Sequence, residues 1–171
     1  MKGVFTAQQV RDTERVLIDR LPEGTLMRRA AFGLAVHLVR ILRERVGRGS
    51  GARGGLLVGA GDNGGDALWA GAELRRRGVA VTAVLLAPDR AHPAGLAALR
   101  AAGGRATSDG AGPVGRADLV VDGIVGISER GALRDAAPAL VDEAAPADVP
   151  VVAVDLPSGV DTDTGAVVGP A

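Results

Sequence analysis

The first forty-odd residues carry apolar side chains at helical spacing. Thr6-Ala7-Gln8-Gln9 reads as a capping box, with Thr6 as N-cap and Gln9 reaching back. The helix it opens is expected to run to about Leu21, where Pro22-Glu23-Gly24 stops it. Leu26, Met27, Ala30, Ala31, Leu34, Leu38, Ile41 and Leu42 then fall on one face of a second helix, and Arg28, Arg40, Arg43, Glu44 and Arg45 on the other. Gly47-Arg48-Gly49-Ser50-Gly51 breaks the pattern. Beyond it, short unbroken apolar runs alternate with helical stretches. Strands are expected over residues 55–58, 79–86, 117–122 and 151–154, and helices over 67–77, 93–102 and 135–145. Residues 103–116 read as loop, with room for one short strand. Strands that are apolar throughout, rather than alternating, are those buried on both faces. The pattern therefore predicts an α/β domain: a Rossmann-like three-layer α/β/α sandwich, its sheet mostly parallel, preceded by two N-terminal helices.

Composition narrows the function classes. The 171 residues suit a single domain over 1–171, with 47% hydrophobic residues to build a core. Lys+Arg and Asp+Glu both number 20, so no surplus cation is available to neutralise a nucleic-acid backbone, and nucleic-acid partners are not expected. The absence of cysteine removes disulfide scaffolds, thiolate metal sites and Cys nucleophiles. Aromatic residues are 2%, too few for base-stacking platforms. No run reaches the roughly 18 apolar residues of a membrane span. No apolar leader is seen at the start, so a cytoplasmic location is expected and membrane partners are not. The 26 glycines mark places where backbone turns sharply or approaches a ligand.

In parallel sheets ligands bind at the carboxyl ends of the strands. Three strand ends here combine Asp with Gly: Gly59-Ala60-Gly61-Asp62-Asn63-Gly64-Gly65-Asp66, Asp122-Gly123-Ile124-Val125-Gly126 and Asp155-Leu156-Pro157-Ser158-Gly159. The first contains G-x-G-x-x-G and reads as a phosphate loop opening a helix. An ordinary dinucleotide oxidoreductase fits poorly, because Asp62 and Asp66 would repel a pyrophosphate and Asp89 comes late for a ribose-binding acid. Carboxylates beside phosphate make sense when a cation lies between them. Oxygen ligands such as Asn63, Asp122 and Ser158 suit a hard or alkali cation. The plainer alternative, that each Asp caps a turn or helix, serves any one loop well and all three together poorly.

These same segments carry a resemblance. Residues 59–67 look like the N-N-G-G-D-G loop of the NAD(P)H-hydrate epimerase family, the YjeF N-terminal domain. Residues 122–126 look like its D-A-I-F-G-T-G segment, and residues 154–161 like its V-D-x-P-S-G-x-D segment. Thr6-Ala7-Gln8-Gln9 and Leu26-Met27-Arg28-Arg29-Ala30 match its helical lead-in. The resemblance covers nearly all of residues 4–169. It implies an isomerase of nicotinamide-cofactor repair, which interconverts the R and S forms of hydrated NAD(P)H (NADHX and NADPHX). By resemblance, Asp62, Asn63, Gly64, Gly65 and Asp66 hold the substrate's phosphates on backbone N–H groups. Gly126, Ile127, Ser128, Glu129, Arg130 and Gly131 line the substrate, and Asp155 contacts it. Asn63, Asp122 and Ser158 bind a potassium ion, and Asp122 or Asp155 is the catalytic acid or base.

The departures are Asp62 for the family's first Asn, Ala67 for the last Gly of the loop, and Ile127-Ser128 for Thr-Gly. The family domain continues through further strands and a Lys-Pro loop, whereas the only lysine here is Lys2. The chain is therefore expected to be incomplete at its C-terminus, with an ADP- or ATP-dependent dehydratase as a fused or separate partner. A homo-oligomer stays open. The competing expectation is a non-catalytic nucleotide-binding or scaffold module of the same fold.

Several residues have plainer readings. His37 is expected on a helix face, His92 at a turn or cap, and Trp69 in core packing. Arg75-Arg76-Arg77 reads as a solvated helix C-terminus. Asp161-Thr162-Asp163-Thr164-Gly165 reads as an Asx-type turn, lacking the Glu of a calcium loop.

Overall fold

The computed structural model describes residues 5–109, 112, 114–127 and 148–167. Two helices lead: α1 (Ala7–Ile18) and α2 (Thr25–Val46). They are followed by β1 (Arg53–Val58), α3 (Gly61–Arg76), β2 (Ala80–Leu85), α4 (Pro93–Ala101), β3 (Arg105–Thr107), β4 (Leu119–Gly123) and β5 (Val151–Ala153). The sheet order is β3-β2-β1-β4-β5, and every neighbouring pair is parallel. The chain winds outward from β1 in one direction and then, through β4, in the other. The order therefore reverses between β1 and β4, where α/β sheets place their ligands.

The expected α/β class and parallel sheet are observed, and the short strand foreseen within 103–116 is β3. The helix expected over 135–145 lies outside the described residues. Among those described, one helical layer covers the sheet. Leu56 and Val58 of β1, Val81 and Ala83 of β2, and Leu119 and Val121 of β4 pack in one cluster with α2, α3 and α4. The opposite face buries Leu57, Val84 and Val120 against Val114, Ala117 and Ile124. Leu38 and Leu42 of α2, Leu68 and Leu74 of α3, and Leu99 of α4 are fully buried in the first cluster. The core is thus made almost wholly of aliphatic side chains, and several contacts need glycine. A Cβ on Gly71 would press on Leu56 and Leu99, so its absence lets α3 lie close on the sheet.

The capping box at Thr6 and Gln9 forms as expected. α1 ends at Ile18, three residues earlier than expected, and Leu21 closes the turn by donating its N–H to the Leu17 carbonyl. A larger correction concerns α3. It starts at Gly61, not at Ala67, so Asp62 to Asp66 form its first turns rather than a loop. Asp122 lies within β4, as the strand expected over 117–122 has it, and pairs with Leu57 and Ala153.

Leu56, central in β1 and inaccessible to solvent, is expected to carry the sheet-to-helix packing. Leu56→Ala should lower unfolding stability by about 3 kcal/mol, measured by urea titration. A loss below about 1 kcal/mol would contradict this account of the core.

Candidate active site at the carboxyl edge of the sheet

β1, β4 and β5 end side by side. The Gly59 N–H donates to the Gly123 carbonyl at 3.0 Å, and the Val154 N–H to the Asp122 carbonyl at 2.9 Å. A Cβ on Gly59 would land on the Ile124 carbonyl, so only glycine lets the chain pass there. Gly61 then takes φ +80°, and the next residues wind into α3. In a helix beginning here, the N–H groups without helical partners are those of residues 60–63. Those of Gly64, Gly65 and Asp66 belong to the helix.

Asp122 is the centre of the edge. It is 6% exposed, and its carboxylate accepts three hydrogen bonds. The Ser158 N–H donates to Oδ2 at 2.8 Å, the Ser158 hydroxyl to Oδ1 at 2.6 Å, and the Ile124 N–H to Oδ1 at 3.2 Å. Ser158 is 2% exposed. The Val125 peptide joins this pair to α3: its N–H donates to Ser158 Oγ at 3.4 Å, and its carbonyl accepts from Asn63 Nδ2 at 2.7 Å. Asn63 is 7% exposed, and its Oδ1 is buried without a hydrogen-bond partner. A buried amide oxygen left unpaired costs free energy unless something else binds it. Asn63, Asp122 and Ser158, named from three distant segments of sequence, are brought together around one peptide.

Asp155 lies beside them. Its Oδ2 accepts from the Ile127 N–H at 3.3 Å. A Cβ on Gly126 would sit 2.8 Å from that oxygen and 3.1 Å from Asn63 Cβ, so Gly126 is wedged between the two. Ser128, Glu129, Arg130 and Gly131 lie outside the described residues.

Between α1, the start of α2, the first turns of α3 and the start of α4 is a cavity of about 570 Å³, lined by Glu14, Met27, Asp62, Asp66, Trp69 and His92 among others. Its charged rim is acidic. Asp66 Oδ1 is buried without a partner. Burial, and after it the negative charges of Asp155, Asp62 and Glu14, push the Asp66 carboxyl up to about 7. Burial first, then Asp155 and Asp62, also raises Glu14. His92 caps α4, its Nδ1 accepting from the Gly95 N–H at 3.0 Å. Trp69 both packs on the core and lines the cavity.

Sequence reasoning missed α1's part in the site. Arg11 donates to the Ile127 carbonyl at 2.8 Å, and Glu14, one turn on, shares the field of the carboxylates. Their spacing of three on a polar helix face was the available signal. Of the remaining readings, the helix-face histidine and the Asx turn hold, whereas Arg75 and Arg77 are half-buried and hydrogen-bonded rather than solvated. His37 is exposed on α2. Arg75 donates to the Ala102 and Val79 carbonyls, while Arg76 and Arg77 pair with Glu73. Asp161 Oδ1 accepts from Asp163 N–H and from Thr164 N–H and Oγ–H in an Asx turn.

Fold and site together define a parallel α/β domain with a cluster of buried polar side chains where the strand order reverses. The family model described as "YjeF-related protein N-terminus" matches residues 23–171, and the chain belongs to that family. It is 51% identical over its whole length to a protein of Mycobacterium leprae named bifunctional NAD(P)H-hydrate repair enzyme Nnr, and covers 36% of that protein. The chain thus spans about a third of the length of such bifunctional relatives. It is 41% identical to a protein of Clavibacter michiganensis named NAD(P)H-hydrate epimerase, with 98% of this chain and 74% of that one covered. The crystal structure of yeast ynu0, YNL200c, superposes with a TM-score of 0.79 at 22% identity, covering 95% of this chain and 74% of that one. It supports the fold. No helix among the described residues is long and apolar enough to cross a membrane.

The raised Asp66 carboxyl has a consequence for stability. The folded chain keeps this proton up to about pH 7, whereas an unfolded Asp loses it near 3.8. Its contribution is therefore complete at low pH and is lost as pH rises across that interval. Asp66→Asn should remove this slope. At pH ~7.5 the variant should melt about 5 °C above the wild type, and at pH ~4 the two should coincide. Parallel melting profiles across that range would contradict the burial of an unpaired carboxyl.

Proposed function

We propose that this domain interconverts the R and S forms of hydrated NAD(P)H. The observation that carries the reading is the Asn63–Asp122–Ser158 cluster at the strand-order reversal, with Asp62 and Asp66 of the same helical turns lining an acidic cavity. The hydrated ring carbon bears a hydroxyl and is bonded to the ring nitrogen, so it is a hemiaminal. The nitrogen lone pair can expel the hydroxyl without any C–H bond breaking. Loss of water leaves an iminium cation, planar at that carbon, and water returning to the opposite face gives the other epimer. The names of the relatives from Mycobacterium leprae and Clavibacter michiganensis support this substrate class.

The residues divide the work. Asp62 and Asp155 border the position where positive charge develops, and fixed anions stabilise a developing cation most in a partly desolvated site. Asp122, one of two candidate acids, has both oxygens committed to Ser158 and Ile124. Its part is to hold Ser158 and to supply negative charge. Asp155 accepts a backbone hydrogen bond from Ile127 and is exposed. The unpaired Asn63 Oδ1, with Asp122 and Ser158, forms an all-oxygen donor set suited to an alkali cation, and a potassium ion fits it. When bound, such an ion supplies positive charge that lets anionic phosphates approach an acidic rim. The N–H groups of residues 60–63 are the backbone donors left for them. A dehydratase that consumes one epimer is the partner this chemistry calls for.

The test uses one purified epimer, with the other followed by chromatography. The domain should accelerate its appearance well above the spontaneous rate, and more so with potassium than with tetramethylammonium. Asn63→Ala should abolish the potassium response. A rate equal to the spontaneous one would overturn this reading and favour a non-catalytic module of the same fold.

A further inference from the structure

The resemblance gave Asp66, like Asp62, a role through its backbone N–H and none through its side chain. Its side chain lines the cavity, and one of its oxygens is buried with no donor within reach. Asp122 is saturated with donors, and Asp155 is exposed. A general acid must face the reacting atoms, keep its proton near neutral pH and not be consumed by structural hydrogen bonds.

We propose that the Asp66 side chain is the catalytic acid and base of the epimerisation, giving its proton to the departing hydroxyl and taking one back from the returning water. The inference rests on the reaction proposed above. In the forward half, the carboxyl proton passes to the hydroxyl oxygen. The C–O bond breaks, its electron pair leaves with water, and the nitrogen lone pair closes the C=N⁺ bond. In the return half, a water oxygen bonds to the opposite face and the C=N⁺ pair goes back to nitrogen. The surplus proton of that water returns to the Asp66 carboxylate. Proton, oxygen and electrons balance, with no redox partner.

The groups around Asp66 keep it protonated and charge the site for the cation. Asp62 lies one turn earlier on α3, Glu14 faces it from α1, and Asp155 from beyond β5. His92 at the start of α4, and Glu23 and Arg28 beside the start of α2, line the same cavity. The Arg28 guanidinium is drawn to the Glu23 carbonyl. Raised to about 7, Asp66 exchanges its proton readily in both directions at neutral pH.

The measurement is kcat and KM for one epimer across pH, on the wild type and Asp66→Asn, with thermal unfolding to confirm that the variant is folded. The wild-type kcat should fall as pH rises through about 7. Asp66→Asn should lose about 100-fold or more in kcat, with KM moved far less, and its profile should lose that limb. Carbon-13 NMR of the wild-type Asp66 carboxyl should show a titration near the same pH, and Glu14→Gln should lower it. The proposal is overturned if Asp66→Asn keeps kcat within a factor of about three, if the limb persists in it, or if the carboxyl titrates near 4. In that case wild-type epimerisation still leaves the proposed function standing. A wild type no faster than the spontaneous reaction overturns both.

Discussion

The arrangement depends on one buried interaction, the clasp between the Asp122 carboxylate and Ser158. It spans 36 residues of sequence and ties the end of β4 to the loop beyond β5. A carboxylate this deeply buried is costly unless each oxygen is met by donors, and Ser158 meets both. Through the Val125 peptide the same clasp reaches Asn63, and so fixes α3 against the sheet edge. Where Asp122 goes, the loops carrying Gly126 and Asp155 follow.

The second determinant is electrostatic. Glu14, Asp62 and Asp66 line one cavity, the charge of Asp155 reaches Glu14 and Asp66, and this mutual repulsion opposes folding rather than assisting it. Such an arrangement suits a site that must stabilise positive charge transiently and hold a proton near neutrality. The same acidity is the reason a cation is proposed beside it. In the proposed function, anionic phosphates near these carboxylates need an offset, and the buried, unpaired Asn63 oxygen is the atom proposed to bind the cation that supplies it.

Much of this was legible in the sequence, for physical reasons particular to each element. The run over residues 79–86 is apolar without alternation, and it became β2 beside the central strand. Thr6 with Gln9 fixes the start of α1 through two reciprocal hydrogen bonds, both local in sequence. The start of α3 was misread because Gly61, Gly64 and Gly65 have poor helix propensity. Tertiary packing overrides that preference: a Cβ on Gly64 would strike the Gly59 carbonyl, and one on Gly65 would crowd His92 and Met27. The three clustered residues Asn63, Asp122 and Ser158 were found by where their strands end. Glu14 was not, since a charged residue on a polar helix face looks like any solvated side chain until the fold brings it to Asp66. The proposed role of the Asp66 side chain likewise rests on burial, which no local pattern reports.

The central claim is that this edge of the sheet removes and restores a single water at the hemiaminal carbon. Isotopic labelling tests it most directly. One epimer is incubated with the domain in heavy-oxygen water and, separately, in deuterium oxide, and the newly formed epimer is examined by mass spectrometry. The account predicts that each inverted molecule carries solvent oxygen in its hydroxyl and no solvent deuterium on the carbon that bears it. Inverted product that retains its original oxygen, or that acquires deuterium at that carbon, would contradict it.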